Sequence, residues 1–215
     1  MSRRAAREVT GSPVFWYASR ATGIVTLLLL TAVLVLGLVV NRQGRLPGLP
    51  GFAVTSLHRN LSLLTVSFVA VHVLTAVLDS YVSIPLASAL IPFTSGYERL
   101  WLGLGAVAFD LMLAVIVTSL ARGRLSRRLW RGVHLLAYVS WPAALAHGIG
   151  ASKDLQHGRL PWVAVGCALL VLAAVAWRVA GAARELPRAG RVAAVFADHA
   201  ARSGRGARPR RPLSR

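Results

Sequence analysis

Apolar residues dominate five stretches of the chain, at about 16–40, 56–79, 99–121, 129–150 and 160–181, and polar residues gather between them. A hydrocarbon layer of about 30 Å needs roughly 20 helical residues to cross it, and each stretch is of that order. The first is the plainest, because "GIVTLLLLTAVLVLGLVV", Gly23 to Val40, holds no charge and charge is costly at the centre of a crossing helix. It outruns the apolar part of a secretion signal, and no small-residue cleavage site precedes Asn41, so it reads as a mature helix. The pattern predicts an all-α fold, an integral membrane bundle of five transmembrane helices, multi-pass in a cell membrane and surrounded by its lipid.

Three regions follow. Residues 1–15 form an extracytoplasmic amino-terminal segment, 16–181 the membrane domain, and 182–215 an arginine-rich cytoplasmic tail predicted to lose order from about 201, where glycine, proline and charge leave nothing to build a core. Aromatic residues stand where helices should meet lipid headgroups: Phe15 to Tyr17, Tyr97, Trp101, Trp130 and Trp162. Between the second and third stretches, "SYVSIPLASALIPFTSGYER" is apolar but broken by two prolines. It is predicted to fold back over the outer face of the bundle rather than span it.

Composition sharpens this picture. Of 215 residues 55% are hydrophobic, yet the formal charge is +18, which raises the question of nucleic acid. The distribution answers no, because the arginines lie in loops and in the tail, where they set topology and attract anionic lipid. With the amino terminus outside, Arg42, Arg45, Arg122, Arg124, Arg127, Arg128 and the tail are all cytoplasmic, while Arg3, Arg4 and Arg7 count against that orientation. The single cysteine, Cys167, lies in the last apolar stretch; it is read as a packing residue, and one thiol makes neither an intramolecular disulfide nor a thiolate metal site. Gly103/Gly105 and Gly148/Gly150 do not sit between a strand and a helix, so there is no dinucleotide fingerprint, and no flavin site is read on this chain.

The candidate chemistry is histidine. Four of the six histidines fall in two apolar stretches as two pairs: His58 and His72 in "SLHRNLSLLTVSFVAVHVL", His134 and His147 in "RGVHLLAYVSWPAALAHGIG". At a rise of 1.5 Å per residue the members of each pair are about 20 Å apart along their helix. The second and fourth stretches have one crossing between them and so run the same way, which sets His58 level with His134 and His72 level with His147. Fourteen residues nearly complete four turns, so His58 and His72 share a face within about 40°. Thirteen residues miss by about 140° in an ideal helix, and Pro142 is where a kink or wide turn is expected to bring His147 back.

Two imidazoles facing each other at one depth can hold one iron from both sides, with a porphyrin buried among aliphatic side chains. Two levels make two haems. A histidine hydrogen-bonded to a neighbouring helix is the ordinary occurrence in a membrane, but matched pairs on parallel helices go beyond it. The alternative is a histidine-lined metal-ion or proton transporter, which should carry carboxylates beside the histidines; the one acidic residue well inside a helix is Asp110, read as hydrogen-bonded within the bundle. A scaffold without redox chemistry is the third reading.

These residues resemble the ferric reductase-like transmembrane domain, a family that includes the membrane halves of NADPH oxidases and ferric reductases and the haem subunit of the periplasmic methionine sulfoxide reductase system. The resemblance covers about 16 to 180 and rests on the two histidine spacings, with "ASRATG", "PFTSGY", "TSL" and "WRGVHLLAY" as supporting text. It implies two b-type haems with bis-histidine iron, His58 with His134 and His72 with His147; the topology read from the arginines places the first pair toward the cytoplasm. Members commonly have six helices, where five are read here with the first missing.

The expected function is a dihaem cytochrome b subunit, an oxidoreductase component that relays electrons between a separate flavoprotein or quinol donor and an acceptor at the outer face. Arg59 and Arg131, within a turn of the inner ligands, are candidates to pair with haem propionates or to set topology. Phe68, Tyr138 and Trp141 lie between the two levels, as porphyrin neighbours or as core packing.

Overall fold

The computed structural model describes residues 14–41, 50–79, 82, 84–152, 155–156 and 158–206, with side chains described as far as 183 except at 41. The chain divides into two compact units, Met1–Leu172 and Ala173–Arg215. All regular structure among the described residues is helical: α1 (Val14–Asn41), α2 (Gly51–Leu78), α3 (Leu86–Leu90), α4 (Arg99–Leu120), a 3-10 turn at Arg122–Arg124, α5 (Arg127–His134), α6 (Ala137–Ala151) and α7 (Pro161–Gly206). Most of the amino-terminal segment, and the loop carrying Arg42 and Arg45, lie outside the described residues.

Among the described residues four helices are long and apolar enough to cross a membrane: Val14–Val40, Gly51–Leu78, Arg99–Leu120 and Pro161–Ala183. The stretch expected as a single crossing helix at 129–150 is instead two helices, α5 and α6, broken at Leu135 and Leu136, so a count of five spanning helices does not follow from length and apolarity. The break is a tightening of the coil: Leu136 N–H donates to Val133 O at 2.9 Å, Tyr138 N–H to Leu135 O at 3.0 Å and Val139 N–H to Leu136 O at 2.9 Å. These are i to i+3 bonds. Each residue wound at 3.0 per turn advances about 20° further than at 3.6, so a few of them recover a good part of the rotational offset between His134 and His147. Pro142, where the bend was expected, lies inside α6 and does not interrupt it.

In the first unit α1 packs along α2, α4 along α6, and α1 also meets α6. Leu27 and Leu34 of α1, Trp141 of α6, and Cys167 and Val171 of α7 form the buried cluster, with Tyr138 packed against it. Its polar tie is Trp141 Nε1–H donating to Thr31 Oγ1 at 2.9 Å, while Thr31 donates to Leu27 O at 2.7 Å, so a hydroxyl and an indole are satisfied together where an unmet group would be expensive. Leu63, Leu74, Leu113, Val117 and Leu169 face outward; such exposed apolar surface is a liability in water and the natural face toward lipid tails. Here packing between helices, rather than flight from water, sets which residues lie inside.

The segment after α2 does fold back. Val82, Ile84, Ser88 and Tyr97 line a cavity beside α1, α2, α4 and α6, and Arg99 Nε donates to Phe93 O at 2.7 Å. Phe93 has φ 63°, an uncommon left-handed backbone that places its ring against α4, where it leaves no room for a Cβ at Gly103.

In the second unit the helical backbone of α7 continues through the arginine-rich sequence and past Ala201 to Gly206, in a stretch rich in alanine and arginine, both good helix formers. Residues 207–215 lie outside the described residues.

Candidate metal centre

Four imidazoles meet as two pairs. His58 and His134 have ring centres 6.5 Å apart with planes at 67°, and His72 and His147 have centres 6.2 Å apart at 70°. α2 supplies one ring to each level and the α5–α6 pair the other.

The separation discriminates between chemistries. Two imidazoles joined by an N–H···N bond of about 2.9 Å, in five-membered rings with bonds of about 1.33 Å, have centres about 5.1 Å apart. With one metal between them, at about 2.0 Å from each nitrogen, the centres are about 6.2 Å apart. Both observed pairs match the second geometry and are about 1 Å too long for the first. Rings on opposite sides of one ion are free to rotate about the shared axis, so crossed planes fit equally well.

Each ring is held from behind. Nδ1–H of His72 donates to Ser19 O at 2.8 Å, that of His58 to Val33 O at 3.1 Å and that of His147 to Trp101 O at 2.9 Å. A carbonyl only accepts, so these three imidazoles carry their proton on Nδ1 and leave the Nε2 lone pair for the gap, the second bond that orients and tunes a metal-bound histidine. The fourth differs: His134 Nδ1 is buried with no hydrogen-bond partner among the described residues, and its ring stacks on Trp130, centres 5.0 Å apart and planes at 25°.

Glycines make the approach. A Cβ on Gly23 would lie 2.9 Å from the His72 ring, one on Gly105 2.7 Å from His147 and one on Gly37 3.4 Å from His58. Gly23 and Gly37 are fourteen residues apart, as are His72 and His58, the register of two antiparallel helices. Each glycine also stands four residues after the accepting carbonyl: Ser19 and Gly23, Val33 and Gly37, Trp101 and Gly105. In an α-helix the side chain at i+4 leans back over residue i, and its absence lets the imidazole reach the second lone pair of a carbonyl already bonded within the helix. This carbonyl–glycine device escaped the sequence reading, although the repeated fourteen-residue spacing was its signal.

At the His72–His147 level a cavity of about 270 Å³ opens between the helices, lined also by Trp16, Arg20, Ala106 and Phe109. Arg20, another residue that sequence reasoning missed, holds its Cζ 3.9 Å from the centre of the Trp16 ring. At the other level Arg122 stacks on Trp130, Cζ 4.4 Å from the ring centre. Trp101 and Trp130, expected as headgroup markers, thus both contact the histidine framework. Arg59 and Arg131 are exposed, each in the turn of a His58–His134 ligand candidate. Phe68 is half-buried, while Trp141 belongs to the core. Asp110 is half-buried and shares the stripe of α4 that carries the outward-facing Leu113 and Val117. It takes no hydrogen bond among the described residues, contrary to its expected role within the bundle.

The residues present fit a haem best at the His72–His147 level, where both rings have Nδ1 locked and a glycine against them and a cavity opens between the helices; at the His58–His134 level the ring separation also suits one iron, with Nδ1 locked on His58 alone. Asp79 lines the same cavity as His72 and His147, but no three His, Cys, Asp or Glu side chains cluster as a metal site among the described residues.

Neither a curated protein nor a solved structure matches this chain. A family model, the ferric reductase like transmembrane component, matches residues 22–145, a range that takes in His58, His72 and His134 and stops two residues before His147. That range is more than half of the 215 residues, and the chain belongs to the ferric reductase-like transmembrane family.

Proposed function

We propose that this chain is the dihaem b subunit of a transmembrane electron-transfer system, with His58 and His134 holding one iron toward the cytoplasm and His72 and His147 a second toward the outer face. The observation that carries this reading is the pair of ring separations, 6.5 and 6.2 Å, which suit one metal between two imidazoles better than a direct hydrogen bond. A haem iron held by two imidazoles has no vacant position and supplies one-electron transfer.

The chain's own residues account for the rest. Ser19, Val33 and Trp101 carbonyls fix the tautomer of three histidines, keeping the proton on Nδ1 and leaving Nε2 unprotonated as a neutral ligand. Gly23, Gly37 and Gly105 let helix backbones close on the rings and exclude lipid and water from behind them. Arg59 and Arg131 offer cationic partners for propionates at the cytoplasmic level, and Arg20 does the same at the outer level. The donor is a separate flavoprotein or membrane quinol, and the acceptor lies at the outer face, beneath the segment that contains α3. Orientation follows the arginines, with the amino terminus outside and five crossings, α5 and α6 together making the fourth.

The test is electron transfer across a sealed vesicle. Ferricyanide trapped inside proteoliposomes should be reduced by a membrane-impermeant reductant outside when the wild-type chain is present, and the rate should fall to that of empty vesicles with His72→Ala. Reduction that is indifferent to all four histidines contradicts the reading. Histidine-dependent metal-ion flux without electron transfer favours the transporter.

A further inference from the structure

Three of the four imidazoles share one holding device and the fourth does not. His58, His72 and His147 each donate Nδ1–H to a helix carbonyl, at 3.1, 2.8 and 2.9 Å, and each rests against a glycine four residues beyond that carbonyl. A ring so held cannot turn about its side-chain bonds without breaking a hydrogen bond inside a bundle that has no water to replace it. His134 has no such bond among the described residues. Counting thirteen residues along α4 from Gly105, as from His147 back to His134, leads to Thr118 rather than a glycine. The Thr118 hydroxyl itself donates to Ala114 O at 2.7 Å and to Val115 O at 3.2 Å, so the carbonyl that the pattern assigns to a fourth imidazole is already taken. His134 is also the last residue of the eight-residue α5, directly before the break at Leu135 and Leu136, whereas the other three are interior to long helices. What supports its ring is the face of Trp130, a contact that permits sliding and rotation.

We infer that His134 is the exchangeable ligand of the bundle, and that the iron between His58 and His134, unlike its counterpart, takes a small neutral external ligand of the carbon monoxide class when ferrous. In that exchange the iron bond to His134 Nε2 breaks, a bond from iron to the incoming carbon forms, iron stays ferrous and the imidazole leaves neutral. This rests on the dihaem reading and makes the cytoplasmic level a ligand-binding site as well as an electron relay.

Carbon monoxide added to the dithionite-reduced full chain is the probe, after haem has been counted per chain. Two haems, of which one gives a carbonyl difference spectrum, is the expected result. The double variant His72→Ala/His147→Ala should keep one haem and the carbonyl signal; His58→Ala/His134→Ala should keep one haem and lose it. Trp130→Leu, which leaves every ligand in place, should speed carbon monoxide binding by about two- to tenfold, the range set by loss of one aromatic stacking contact. Two haems with no carbonyl signal, or a signal that persists in His58→Ala/His134→Ala, overturns the inference and leaves the dihaem reading standing. A chain that purifies without haem overturns both.

Discussion

At the scale of single residues, the four histidines were legible because titratable side chains in apolar helices are costly and therefore carry information. Their partners were not legible, since an accepting carbonyl has no residue type and a glycine in a membrane helix has many uses. Gly105 shows what was hidden: its pairing with Gly103 suggested only the absence of a nucleotide loop, whereas its role is to admit the His147 ring. Gly105→Val, or Gly23→Val, should therefore cost the haem of the His72–His147 level and spare the other, giving about one haem per chain by pyridine haemochrome assay. Gly166→Ala, whose added Cβ would meet nothing within 4 Å, should retain both. Trp141 gives a second test. Trp141→Phe keeps the ring in the core but removes the bond to Thr31, and an interhelical hydrogen bond in a membrane averages about 0.6 kcal/mol with a maximum of about 1.7. A thermal melt in detergent should show a loss in that range with haem content unchanged.

At the scale of elements, apolar length predicted α1, α2 and α4 within a few residues at most ends, because a membrane span is defined by composition alone. It misjudged the fourth stretch, where the backbone tightens at Leu135 and Leu136. No proline or glycine marks those two leucines, and the sequence offered Pro142 instead. The two origins of the turn make different predictions. Pro142→Ala should leave both haems in place, since α6 runs through that position without a break. One alanine inserted after Ala143 turns His147 by about 100° and should abolish the haem of its level alone. Loss of a haem in Pro142→Ala, by the same spectral count, would return the bend to the proline.

At the scale of the whole molecule, the orientation proposed from the arginines is testable: it places the His72–His147 level, beneath α3 and the segment around it, toward the outside. Ser2→Cys should react with a membrane-impermeant maleimide on intact cells and Ser203→Cys only after the membrane is opened, with buried Cys167 silent in both. The reverse pattern inverts the relay without touching its chemistry. The central claim is that two pairs of opposed imidazoles each grip one iron porphyrin, and a single optical titration addresses it: the reduced-minus-oxidised spectrum of the purified chain with haem quantified per polypeptide. Two low-spin b-type haems per chain are predicted, falling to one in His72→Ala/His147→Ala. A preparation without haem, or one whose spectrum is unchanged in that variant, would contradict the account.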